Sequence, residues 1–78
     1  MFSERLKSVR KSRGFTAQYM ANCLGIHIRA YRKYESGDTV PTFYGLKVMA
    51  DVLDVSIDWL LGRDEWLQSH GVSFDALR

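Results

Sequence analysis

Apolar residues recur three and four positions apart through most of the chain, and strand-like alternation is poor, so the pattern predicts helices. Phe2, Leu6 and Val9 share one face of a first helix over about residues 3–13. Ser3 is its expected cap, Glu4 suits its positive end, Arg10, Lys11 and Arg13 suit its negative end, and Gly14 is its stop. Thr16 is expected to cap a second helix, Ala17–Leu24, with Met20, Ala21 and Leu24 inward and Gly25 as terminator. A third begins near 27 or 28 and ends near 36 or 37, with Tyr31 and Tyr34 inward and Ile28, Arg29, Arg32 and Lys33 on the other face. After a loop through Pro41, Thr42 caps a fourth helix over about 43–53, with Phe43, Leu46, Met49, Ala50 and Leu53 as core positions. Ser56 caps a short fifth over about 57–61, closed by Gly62. Hydroxyl caps and glycine stops thus agree with the periodicity. The expected class is all-α: one five-helix domain over 1–62, followed by a C-terminal extension over 63–78 that is helical in part and serves packing or dimerisation.

Composition narrows this little, and charge more. A chain of 78 residues, 46% hydrophobic, is near the lower size limit for an independent core. Ten aromatic residues (four Tyr, four Phe, two Trp) supply much of the burial that so small a core needs. Net charge is only +2, but it is unevenly spread. Residues 1–33 hold eight Lys or Arg against one acid, a balance of +7, and residues 34–78 hold three bases and eight acids, a balance of −5. Such a split suits one face for a polyanion and another for solvent or a partner; a solvated basic helix is the plainer alternative. The charged start is unlike a signal peptide, and no apolar run reaches the length of a membrane span, so a cytoplasmic place is expected. One cysteine, Cys23, excludes an intrachain disulfide and is expected to be a small buried residue. Cys23, His27 and His70 lack metal-ligand spacing, so neither metal nor cofactor is expected.

The informative segment runs from Ala17 to Glu35. Two helices crossing steeply through a very short turn need a small residue inside the first, Ala21, and a residue tolerant of positive φ four positions later, Gly25. Met20, Leu24, Ile26, Tyr31 and Tyr34 then provide apolar contacts at suitable places. Together with RLKSVRKSRGFT before it, YESGDTVPT after it and LKVMADVLDVSIDWLLG further on, this segment resembles the phage repressor and Cro-like regulators, also called the xenobiotic-response-element family. The resemblance covers about three quarters of the chain, and it implies a five-helix fold.

It also implies sequence-specific binding of double-stranded DNA as a small transcriptional regulator, a repressor, in a bacterial or phage-encoded setting. On that resemblance, Thr16 and Ala17 direct the N-terminus of the second helix at a phosphate. Ile28, Arg29, Arg32 and Lys33 occupy the positions that meet bases and adjoining phosphates in the major groove. Arg29 suits guanine O6 and N7, Ile28 a thymine methyl, Lys33 guanine or phosphate, and Arg32 phosphate. Thr39 and the stretch Thr42 to Tyr44 match a segment that touches the DNA backbone, and Arg10 and Glu35 match an ion pair between the first and third helices. Three departures stand out. Ala17 stands where many relatives have Gln, leaving Gln18 as a partial substitute. His27 replaces the usual Ser or Thr cap and is expected to cap less well. Asp38 puts negative charge near the phosphate path.

Family members usually bind as two-fold dimers. Tyr44, Val48 and Val52, four apart, together with Trp59, are expected to form an apolar patch away from Arg29 and Lys33. Either a second protomer covers it, with Trp66 contributing, or the extension with Trp66, Leu67, Phe74 and Leu77 folds over it. The pattern offers no catalytic constellation: Ser73, Asp75 and His70 are close in sequence but lack a scaffold, so the chain is not expected to be an enzyme. The alternative function is that of an antitoxin-type protein, which binds a partner protein and autoregulates its operon.

Overall fold

The computed structural model describes residues 2–62, and all their regular structure is helical: α1 (Phe2–Ser12), α2 (Ala17–Leu24), α3 (Ile28–Ser36), α4 (Phe43–Leu53) and α5 (Ile57–Leu61). α3 packs against both α1 and α2, α2 also packs against α4, and α5 closes the bundle against α1 and α4. Each of α1 to α4 sends a residue into the fully buried centre: Leu6, Met20, Tyr31, Met49 and Leu53; Leu60 joins them from α5. Ala21 is also fully buried, which allows the close α2–α3 approach that its small size suggested.

Four of the expected caps form. The amides of Tyr19, Gly45 and Trp59 donate to the hydroxyls of Thr16, Thr42 and Ser56 at 3.0, 3.1 and 3.0 Å. The imidazole of His27 also caps: its Nδ1 accepts from the Arg29 amide at 3.0 Å. Ser3 does not cap α1, because the helix already includes Phe2, whose ring packs on the core. α4 ends without a glycine; Asp54 adopts φ 56° and its amide turns back to Asp51.

Two further expectations are corrected. Cys23 is exposed: it lies about 200° around α2 from Ala21, on the side opposite the packed face. Phe43 is 74% exposed rather than in the core. The first turn of α4 projects beyond the packed centre, and the buried Pro41 fills the space at its foot. Gly45 accommodates that arrangement, since a Cβ there would stand 3.2 Å from Pro41 Cβ.

Candidate nucleic-acid interface

The turn between α2 and α3 is three residues long. Gly25 takes φ 68°, where a side chain would be strained even in open space, and the amides of Gly25 and Ile26 return to the carbonyls of Asn22 and Ala21. α3 therefore leaves the turn at once, with one face fixed. Tyr31 is fully buried, and Tyr34 meets it edge-on with ring centroids 6.4 Å apart.

Arg29, Arg32 and Lys33 are exposed on the opposite side. Among the described residues, no hydrogen bond or ion pair engages their side chains. Ile28 is not on this open face as fully as the sequence pattern suggested: it is half-buried and packs against the core cluster. Only part of it is available to a thymine methyl.

Three arginines of α1 and the turn after it behave differently. Arg5 donates to the Trp59 carbonyl at 2.6 Å and lies 4.8 Å above that indole. Arg13 donates to the Leu53 and Asp54 carbonyls at 2.8 and 3.4 Å, satisfying the C-terminal end of α4. Arg10 grips Glu35 through Nε at 2.6 Å and Nη2 at 3.1 Å, and its Nη1 reaches the Phe15 carbonyl at 2.8 Å. Both side chains of this pair are nearly buried, 12% and 11% exposed. The hydrogen bond from Arg10 to Glu35 and the carboxylate's charge outweigh burial and hold the guanidinium more firmly protonated than usual.

α2 contributes its N-terminus. Thr16 engages the Tyr19 and Met20 amides, and the Ala17 and Gln18 amides remain as first-turn donors without an intrahelical acceptor. The Gln18 side chain lies along its own helix and donates to Asn22 at 2.9 Å. Beside this end is a groove of about 300 Å³ lined by Lys7, Arg10, Ala17, Arg32, Glu35 and Ser36. Lys7 was not singled out from the sequence. It lies two positions from Arg5 and three from Arg10, and only the fold shows that it joins Arg32 at this groove.

The segment after α3 is exposed from Gly37 to Val40 and again from Thr42 to Tyr44. The Thr39 amide donates to the Lys33 carbonyl at 3.3 Å, and the Asp38 amide shares that acceptor at 3.0 Å, so Thr39 offers its hydroxyl rather than its amide. Thr42 is exposed while capping α4, and Tyr44 is 74% exposed. Of the proposed dimer residues, Val48 is half-buried, Val52 and Trp59 pack on the core, and Trp66 lies outside the described residues, as does the rest of the extension. Trp59 therefore packs against the core rather than standing free in a patch. Among the described residues, the large apolar side chains most exposed are Val40, Phe43 and Tyr44.

A family model described as helix-turn-helix matches residues 6–60. The cryptic phage CTXphi transcriptional repressor RstR of Vibrio cholerae is 47% identical over 60 residues, 77% of this chain and 54% of that protein. The SPbeta prophage-derived HTH-type transcriptional regulator YonR of Bacillus subtilis is 46% identical over 61 residues, 78% of this chain and 56% of that one. The chain thus spans about half the length of these curated relatives. Among solved structures, SinR, a master regulator for biofilm formation crystallised in complex with DNA, superposes with a TM-score of 0.71 at 29% identity. That match covers 78% of this chain and 98% of the SinR chain.

Proposed function

The chain belongs to the helix-turn-helix family, in its repressor and Cro-like branch, and from that premise we propose that it binds double-stranded DNA sequence-specifically and represses transcription. The observation that carries this reading is the solvent face of α3, where Arg29, Arg32 and Lys33 stand exposed with no acceptor among the described residues. Arg29 reads guanine bidentately in the major groove, Lys33 reaches guanine or phosphate, and Arg32 takes phosphate. Ile28 adds a marginal apolar contact from the edge of the core. The Ala17 and Gln18 amides and Thr16 hold a phosphate at the α2 end, with Lys7 beside it. The His27 imidazole orients the first turn of α3, and Thr39, Thr42 and Tyr44 touch the flanking backbone.

Binding as a two-fold dimer places two α3 helices in successive major grooves. The contact is proposed on the side of α4 and α5, where Val48, Val52 and Trp59 lie, with the extension carrying Trp66 adding to it. The reading keeps 1–62 as the binding unit and 63–78 as an appendage to it, assigns no catalysis, and places the protein in a bacterial or phage-host cytoplasm. No helix among the described residues is long and apolar enough to cross a membrane. The antitoxin alternative draws no support from the relatives named above.

Selection from random duplexes tests this. A palindromic site should emerge for the wild type, and Arg29→Ala should relax one symmetric pair of positions within it. If no site is enriched, the sequence-reading function is wrong.

A further inference from the structure

Among the described residues Tyr31 is the largest fully buried side chain, a ring of the apolar core that carries one polar atom, its hydroxyl. Phenylalanine would fill the same space without bringing a group that needs a partner. The hydroxyl donates to Glu35 Oε2 at 2.5 Å, the oxygen that also receives Arg10 Nε, while Oε1 receives Arg10 Nη2. From Arg10 the connection continues to the carbonyl of Phe15, the residue before the α2 cap Thr16. One run of hydrogen bonds therefore joins α3, α1 and the entry to α2.

The same residues border the groove at the α2 end. Glu35 is the one acid among its lining residues, in company with Lys7, Arg10 and Arg32. A carboxylate free to turn into that groove would repel a phosphate there. Held by two donors, it stays on Arg10 and out of the way.

We propose that Tyr31 is a positioning residue for DNA reading: its hydroxyl fixes the Glu35 carboxylate against Arg10, which holds α3 at its angle and leaves the groove open to a phosphate. This rests on the DNA-reading function proposed above. The bond from the hydroxyl goes to Glu35, with the Arg10 guanidinium close by, so most of its effect should be lost when Glu35 is absent.

The experiment is a double-mutant cycle on the full chain with Tyr31→Phe and Glu35→Ala, measured at a temperature where circular dichroism shows every variant folded. Binding is read against the selected duplex and a random one. Tyr31→Phe should weaken binding to the selected duplex by about tenfold, the scale of a hydrogen bond to a charged group, and binding to the random duplex by less. In the Glu35→Ala background the same change should have little effect. Equal effects in both backgrounds, or unchanged binding by Tyr31→Phe, would overturn the proposal. Proton exchange at Arg10 Nε, followed by NMR in the free protein, gives a reading that DNA does not influence: it should quicken in Tyr31→Phe, and unaltered exchange refutes the tie. A wild type that selects no duplex sinks the functional reading itself, and that is seen before any variant is made.

Discussion

α1 and α3 both carry basic residues at helical spacing, and the fold puts the arginines of the first and the cations of the second to opposite uses. In α1, Arg5 and Arg10 meet a protein acceptor, and Arg13, just past the helix, does the same. These acceptors are the carbonyl ends of α5 and α4 and the Glu35 carboxylate. In α3, Arg29, Arg32 and Lys33 face outward with no such acceptor among the described residues. The lesson is that a cation's role follows from what lies within its reach. A helix end within reach makes it a clamp, and open solvent leaves it for an anion from outside.

Substitutions can break this contrast, beginning with the largest expected effect. Arg10→Ala leaves the Glu35 carboxylate nearly buried with Tyr31 as its remaining donor. It should lower stability by about 2–3 kcal/mol, or roughly 10–20 °C in melting temperature. Arg29→Ala should do the reverse: a loss of about 1–3 kcal/mol in discrimination at one base pair, with melting unchanged. Arg13→Ala removes two bonds to the end of α4 and should cost about 1 kcal/mol of stability, measured by urea unfolding. Smallest is the stability change for Arg32→Ala and Lys33→Ala, expected within about 0.5 kcal/mol.

The clamp also has a pH signature. Burial, aided by the Glu35 contact, pushes the Tyr31 hydroxyl well above the ordinary tyrosine range. A raised acid pKa means that the unfolded chain gives up its proton first. The contribution is therefore complete below about pH 10 and falls as pH rises further. Alkaline unfolding should begin near pH 10 in the wild type and be less steep in Tyr31→Phe.

Much of this was legible in the sequence, for local reasons. Thr16, Thr42, Ser56, Gly25 and Gly62 mark helix ends through bonds to residues three or four positions away, so their pattern is visible without a fold. The turn Gly25 to His27 and the outward set on α3 follow from the same local geometry. What could not be read depends on distant neighbours. Arg5 reaches a carbonyl 54 positions on and Arg13 one 40 positions on, so the basic excess of the first 33 residues overstated the charge open to a polyanion. Phe43 keeps the helical spacing of a core residue, yet the core stops short of it. Trp59 reads as a patch residue in the sequence because its partner Arg5 lies at the other end of the described chain. Lys7 gained a role only when α1 was laid beside α2 and α3.

The salt dependence of binding tests the contrast most directly, using the selected duplex with the wild type, Arg13→Ala and the combined variant Arg29→Ala, Arg32→Ala, Lys33→Ala. Log affinity against log salt should have a slope of about −0.9 per phosphate neutralised. The account expects Arg13→Ala to keep the wild-type slope and the combined variant to be shallower by about one to three such steps, depending on how many of its cations meet phosphate. A combined variant with the wild-type slope, or an Arg13→Ala slope as shallow as the combined one, would contradict the division of these cations into clamps and contacts.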